Sequence, residues 1–355
     1  MRVGAHEILV GDVRDRLGEL PDGSVRCVVT SPPYWGLRDY GVDGQIGLEA
    51  TPEAYVASIV EVFRAVRRVL AEDGTLWLNL GDCYASTPPG NTKTGVEKWS
   101  SSGLAGARSA RYCETLDSSV GGRRSTLAPG LKPKDLVGVP WMVAFALRAD
   151  GWFLRQDIVW HKPNPMPESV RDRCTKAHEY VFLMSKSQSY YYNQDATLEP
   201  CSPNTNMRVS QEVAKQLGSK RAHGGNRAER PKAVVRSPKI QKPGSGIKNN
   251  QSFIDAVALP VEKRNKRSVW TITTKPFKGA HFATFPEDLV EPCVLAGSEP
   301  GDHVLDPFGG SGTVGAVCER LGRRAVLIEL NPEYASMAER RIGAARDRAG
   351  MFALD

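Results

Sequence analysis

The sequence predicts an α/β fold built on a largely parallel sheet, and three observations carry that expectation. Short apolar runs that close on small or acidic residues, EILVGD (7–12), VRCVVTS (25–31) and TLWLNLGD (75–82), have the unbroken hydrophobicity of strands buried on both faces. Segments of helical period alternate with them. A glycine-rich stretch, DPFGGSGTVG (306–315), stands where a strand must turn sharply into a helix.

The elements follow in order. Between the second and third strands, Thr51 is suited to cap a helix with Pro52 at its first position. Tyr55, Ile59, Val62, Phe63, Val66, Val69 and Leu70 keep the helical period, and Gly74 is expected to end it. Residues 85–130 are rich in Ser, Gly and Thr without a sustained period, and read as a long mobile loop. A helix is expected around VPWMVAFALRADG, then strands in WFLRQDIVW and HEYVFLMSKS, and after the basic segment KRSVWTI leads on. The next helix spans about Pro286 to Ala296, where Pro292 is expected to introduce a kink. The chain ends in a strand, turn, helix, strand, helix unit: HVLDPF, GGSGT, VGAVCERLG stopped by Gly322, RAVLIEL, and a helix opened by Asn331 and Pro332. The two α/β portions, 1–200 and 268–355, are expected to form one sheet interrupted by residues 201–267.

With 355 residues, 41% of them hydrophobic and 25% charged, the chain suffices for one large domain with an insertion. Its seven cysteines are scattered without CxxC pairs, which argues against a disulfide framework and against a structural zinc site. No metal is expected, and a reducing cytoplasm is. The N-terminus has no apolar signal region, and no stretch approaches the roughly 20 apolar residues of a membrane span. The net charge of +7 is concentrated: residues 201–267 hold 15 Lys and Arg against four acids, +11, so the remainder sums to about −4. Such a run reads either as a solvated loop or as a surface for a polyanion.

In the glycine stretch, Gly309 to Gly312 allow a tight turn or the close approach of a ligand to the backbone. The spacing differs from GxGxxG and lacks the lysine of a phosphate loop. Seventeen positions after Gly312, Glu329 ends the next strand, where an acid can accept hydrogen bonds from both hydroxyls of a ribose. Together they suggest a nucleoside-containing cofactor, the bland alternative being a plain turn followed by an acid at a helix start.

The second strand runs into TSPPYW (30–35). Pro32 and Pro33 fix two φ angles and remove two donors, leaving carbonyls in set directions with no competing ladder. Ser31 adds a hydroxyl, and Tyr34 with Trp35 offers a face on which a planar base can stack. The stretch suits an exocyclic amino group, or else it is a loop with a buried aromatic anchor.

These two motifs together resemble the amino-group DNA methyltransferases that use S-adenosylmethionine. TSPPYW is similar to their catalytic tetrapeptide, and DPFGGSGT to their cofactor loop. The catalytic motif precedes the cofactor loop, which is the permuted order of the family's beta group. The resemblance covers the chain except residues 85–130 and 201–262. It implies a Rossmann-like class I methyltransferase fold, with a seven-stranded, mostly parallel sheet carrying one antiparallel strand, plus a basic target-recognition insert at 201–267. It also implies that Asp306, Phe308, Gly309, Gly310, Ser311, Gly312 and Thr313 cradle the methionine part of the cofactor and that Glu329 holds its ribose. Asp12 matches the acid near the adenine, although it is also suited to cap the helix VRDRLGEL. HFATFPEDL (281–289) matches the segment closing over the cofactor, which makes Thr284 and Phe285 contacts of second rank. Ser31, Pro32, Pro33 and Tyr34 would be catalytic, with Tyr34 and Trp35 stacking on an extruded base. Lys220, Arg221, Arg227 and Arg230 would bind duplex DNA.

The implied reaction brings an amino nitrogen in line with an already activated methyl group, so no covalent enzyme intermediate is required. Ser before Pro-Pro usually accompanies cytosine N4 methylation in this family, and Asp or Asn accompanies adenine N6. Methylation of the cytosine ring carbon would need a Pro-Cys nucleophile. Pro200-Cys201 and Pro292-Cys293 both lie away from the SPPY position. RNA and protein amine methyltransferases usually place the cofactor loop first, and a catalytically inactive DNA-binding subunit sits poorly with two intact motifs. The recognition sequence, the oligomeric state and any cognate restriction endonuclease are not legible in the chain.

Overall fold

The computed structural model describes residues 1–37, 40–85, 128–201, 263–274 and 285–352, with side chains through residue 348. Apart from its two ends, the loop expected at 85–130 lies outside the described residues, as do Thr284, Lys220, Arg221, Arg227 and Arg230. The chain divides into two compact units, one comprising Met1–Ala196 with Arg267–Asp355 and the other Thr197–Lys266.

The larger unit carries a nine-stranded sheet. Its strands in chain order are β1 (Arg2–Val3), β2 (His6–Val10), β3 (Val25–Thr30), β4 (Leu70–Leu80), β5 (Phe153–His161), β6 (His178–Ser185), β9 (Val269–Thr271), β10 (His303–Asp306) and β11 (Arg324–Glu329). They lie in the order β1-β2-β11-β10-β3-β4-β6-β5-β9. Strands β2, β11, β10, β3 and β4 are mutually parallel, and β6 runs antiparallel between β4 and β5. These seven are the expected sheet with its one reversed strand. Two short edge strands add to it: β1, antiparallel to β2, and β9, parallel to β5. In the smaller unit, β7 (Glu199–Pro200) pairs antiparallel with β8 (Lys263–Arg264), and Lys266 contacts Glu199 at 3.1 Å.

The helices of the larger unit are α1 (Val13–Gly18), α2 (Pro52–Val69), α3 (Val139–Ala149), α4 (Glu287–Gly297), α5 (Thr313–Leu321) and α6 (Pro332–Phe352). Successive residues of one strand feed opposite faces of the sheet, the period-2 rule of a pleated strand. Val28, Leu76 and Leu78 join Tyr55, Ile59, Phe63, Val143 and Leu147 of α2 and α3 in one core. Cys27, Val29 and Trp77 join Leu289, Val294, Val317 and Ile342 of α4, α5 and α6 in the other. Burial pushes the Cys27 thiol up to about 12, so it behaves as an apolar group of that core.

Helix α2 begins as the sequence predicts, with the Thr51 hydroxyl accepting from Ala54 N at 3.1 Å. Its expected end at Gly74 is corrected. The helix stops at Val69, Leu70 turns directly to extended backbone, and Gly74 lies within β4. A Cβ at Gly74 would stand 2.6 Å from the Leu70 side chain and 2.9 Å from the Arg26 carbonyl, so the glycine serves a close approach within the sheet and not a helix stop. Gly322, by contrast, ends α5 in the left-handed conformation with φ +70°.

Candidate active site

The C-terminal ends of parallel strands β2, β3, β4, β10 and β11 share one rim of the sheet, where open α/β sheets bind ligands. Because β6 is reversed, its first residues reach that rim as well. A cavity of about 830 Å³ opens there, lined among others by Ser31, Tyr34, Asn79, Glu179, Gly310 and Glu329.

On the glycine-turn side, Gly310 and Gly312 adopt φ of +49° and +77°. Glu329, at the end of β11, accepts Gly310 N at 2.7 Å through Oε2 and Asn331 N at 2.9 Å through Oε1. Burial raises its carboxyl above the usual range. Backbone N–H groups of Gly310, Leu330 and Asn331 act on the carboxylate, which has about four lone-pair sites and so keeps acceptor capacity. The loop is braced from behind by Arg341 of α6, which donates to the hydroxyl oxygens of Ser311 at 3.0 Å and Thr313 at 2.8 Å and pairs with Glu287 at 2.9 Å. Asp12 caps α1, accepting Arg14 N at 2.8 Å, and the Arg14 guanidinium holds its carboxyl below the usual range. Capping does not remove it from the site, since it also lines the cavity.

On the proline-turn side, Ser31, Pro32, Pro33 and Tyr34 all line the cavity. The Tyr34 hydroxyl receives the Ser31 hydroxyl at 3.2 Å and lies 3.1 Å from Asn79 Oδ1 and 3.0 Å from Glu179 Oε2. Burial, then the charge of Glu179, pushes the phenol well above its ordinary value, so it stays protonated. The ring rests on Gly81, where a Cβ would come within 2.6 Å of Cε2. Glu179 also accepts from Asn79 Nδ2 at 3.2 Å and pairs with Lys162, whose ammonium sits 4.2 Å from the centre of the Trp160 ring.

The family model described as DNA methylase matches residues 25–340. The chain is 43% identical over 336 residues to the Type II methyltransferase M.Cfr9I of Citrobacter freundii, covering 94% of this chain and 86% of that one. It is 44% identical over 340 residues to the Type II methyltransferase M.SmaI of Serratia marcescens, covering 95% and 90%. The chain belongs to the amino-group DNA methylases. Two solved structures share the methylase fold: a putative DNA modification methylase from Thermus thermophilus complexed with S-adenosyl-L-methionine (TM-score 0.53, 23% identity, 96% and 94% covered) and the cytosine-N4-specific PvuII DNA methyltransferase (TM-score 0.54, 17% identity, 97% and 94% covered).

Four expectations for the methylase's site are corrected. Trp35 does not offer a stacking face: it is 2% exposed, packs in the core with Tyr55, and its indole N–H donates to the Glu49 carbonyl at 2.9 Å. The turn that follows Tyr34 sends the second aromatic inward. The Pro33 carbonyl is not left without a competing donor, because the buried Tyr55 hydroxyl donates to it at 2.9 Å. Asp306 does not line the cavity. It is 1% exposed, accepts the Thr30 hydroxyl at 2.7 Å and Phe308 N at 3.1 Å, and burial raises its carboxyl to about 7. It ties the root of one turn to the root of the other. Gly312 is likewise absent from the lining: a Cβ there would meet the Ala338 Cβ at 2.7 Å, so the glycine serves helix packing and a left-handed backbone.

Phe308, Gly309, Gly310, Ser311, Thr313 and Phe285 do line the cavity. Sequence reasoning missed Asn79, Lys162, Glu179 and Arg341. Asn79 carried a signal, being a polar residue that interrupts the apolar run TLWLNL one position before its end. Glu179 reaches the rim only through the reversed strand, Lys162 at the C-terminal end of β5 beside it, and Arg341 through the return of α6.

Proposed function

We propose that this DNA methylase transfers a methyl group from S-adenosylmethionine to the N4 amino group of a cytosine extruded from duplex DNA. The carrying observation is that one cavity joins the proline-locked turn Ser31 to Tyr34 with the glycine turn and Glu329. The residues fit the cofactor. Glu329 keeps acceptor capacity suited to ribose hydroxyls, the lysine-free glycine turn is suited to a ligand without phosphates, and Phe308 and Phe285 add apolar wall. When bound, S-adenosylmethionine supplies an activated methyl group.

In this reading Asp12, Phe285, Phe308, Gly309, Gly310, Ser311, Thr313 and Glu329 bind the cofactor, and Thr284 is read from the sequence as a contact of second rank. Asp306 and Gly312 act by holding the loop's shape. Ser31 and the Pro32 carbonyl accept the amine's hydrogens, which favours a pyramidal nitrogen and localises the lone pair that an aromatic amine otherwise shares with its ring. Tyr34, fixed at its hydroxyl, is the face against which the base lies. Ser31 in TSPPYW supports cytosine N4, and adenine N6 is the second reading. The segment 201–267 is read as the target-recognition part, and Lys220, Arg221, Arg227 and Arg230 as its phosphate contacts. The relatives' name, Type II methyltransferase, supports a restriction-modification role alongside a cognate endonuclease, in the cytoplasm where the DNA lies.

The test is direct. The protein is incubated with labelled S-adenosylmethionine and duplex DNA of mixed sequence, the DNA is digested to nucleosides, and these are separated. Label in N4-methylcytosine is expected. Label in N6-methyladenine alone overturns the base assignment and keeps the amino-group chemistry; label in 5-methylcytosine overturns both.

A further inference from the structure

Methyl transfer to an exocyclic amine leaves one N–H proton to be removed, because the nitrogen gains a carbon while keeping both hydrogens. Three carboxylates among the described residues line the cavity: Asp12, Glu179 and Glu329. Asp12 is held by the Arg14 backbone N–H and by its guanidinium at 2.9 and 2.6 Å. Glu329 is bound to the backbone of the cofactor loop. Glu179, by contrast, is hydrogen-bonded to the catalytic turn itself.

The geometry points to Glu179 as the terminal acceptor of that proton, reached through the hydroxyls of Ser31 and Tyr34. This inference rests on the amino-group reading above. The Ser31 hydroxyl donates to the Tyr34 oxygen at 3.2 Å, and the Tyr34 hydroxyl lies 3.0 Å from Glu179 Oε2, so the chain of donors runs one way, from the turn to the carboxylate. As the N–C bond forms and the S–C bond breaks, the amine's proton passes to Ser31 Oγ, the Ser31 proton to Tyr34 Oη and the Tyr34 proton to Glu179. The products are the methylated neutral base, the thioether and a protonated Glu179, with Ser31 and Tyr34 each holding one proton as before. A protonated aromatic amine has lost conjugation with its ring and is a strong acid, so its proton passes readily to an oxygen acceptor. Asn79 Oδ1, the other acceptor at 3.1 Å, is an amide and leads nowhere. Glu179 and Lys162 keep 17% and 19% of their side-chain surfaces exposed, which gives the proton an exit to water between turnovers.

The experiment compares single-turnover methyl transfer by the full chain and by Glu179→Gln, Tyr34→Phe and the double variant, with S-adenosylmethionine and duplex affinities measured for each. Both single variants are expected to bind cofactor and duplex as the parent does and to transfer about 10²-fold more slowly, the scale of lost acid–base assistance. The double variant is expected to be no slower than the slower single one, because both residues act in one relay. A merely structural role would lower affinity and add in the double variant. Tyr34→Phe keeps the ring for stacking, so parent-like transfer by Tyr34→Phe or Glu179→Gln overturns the relay and leaves the methylation reading standing. A parent protein that methylates no DNA overturns that reading, and the relay with it.

Discussion

Asp306 shows how one buried group couples the two motifs to pH. Its carboxyl, held by Thr30 and Phe308 N, is raised by burial from an ordinary 3.8 to about 7. A folded-state value above the unfolded one means that the folded protein binds the proton more tightly. The contribution to stability is full below the ordinary value and is lost as pH rises through about 7. Asp306→Asn keeps an acceptor oxygen without the charge, so it is expected to melt at a higher temperature than the parent at about pH 8.5 and to show a smaller drop between about pH 5 and pH 8.5. Thermal unfolding across that range checks it, and an unchanged pH profile would refute the assignment. Gly312 and Glu329, both first read as cofactor residues, separate in the same kind of measurement. Gly312→Val places a branched side chain at φ +77° against Ala338, and is expected to lower the melting temperature of the cofactor-free protein. Glu329→Ala is expected to weaken S-adenosylmethionine binding by about 1–3 kcal/mol, the scale of losing hydrogen bonds to a charged group. Calorimetry finding parent-like affinity in Glu329→Ala would remove its ribose role.

At the scale of the element, the site is a property of strand ends. Ser31 follows β3, Asn79 and Gly81 stand at the end of β4, Glu329 closes β11, and Glu179 opens the reversed β6. Gly81 shows what such an end must supply. A methyl group there would press to 2.6 Å on Tyr34 Cε2, and the ring is tethered at its hydroxyl to Ser31, Asn79 and Glu179. Gly81→Ala is therefore expected to leave cofactor affinity intact while slowing methyl transfer by about 10²-fold, the cost of a small misplacement at a reacting centre. Steady-state kinetics beside cofactor titration decides it; parent-like turnover would mean that the ring's position is not critical. The inner strands, the start of α2 and the stop of α5 were legible because their signals are local: unbroken apolar runs, Thr51 before Pro52, Gly322 after α5. Which of two adjacent aromatics faces the cavity was not legible, since the turn after Tyr34 depends on the core that receives Trp35. Nor was Glu179, because nothing within HEYVFLMS states that its strand runs backwards and begins at the rim where its neighbours end.

For the whole molecule, the distribution of charge bears on how it meets its substrate. The 67 residues from Cys201 to Arg267 carry +11 while the rest of the chain sums to about −4, so the proposed attraction to a phosphate backbone is expected to come mostly from the segment between the two motif-bearing portions. The family acts on DNA, a polyanion, and a net-negative remainder would on its own repel it at long range. Each phosphate neutralised releases condensed counterions, with a slope of about −0.9 in log affinity against log salt. Replacing Lys220, Arg221, Arg227 and Arg230 together by glutamine is therefore expected to weaken duplex binding and to flatten that slope by up to about 3.6. Affinity for S-adenosylmethionine should stay as in the parent, because the cavity proposed to hold it is lined by residues of the other portions. Duplex binding measured across a salt series distinguishes the two meanings of the charge: a parent-like slope in the fourfold variant would make the run a solvated loop and send the search for the DNA surface to the rim itself.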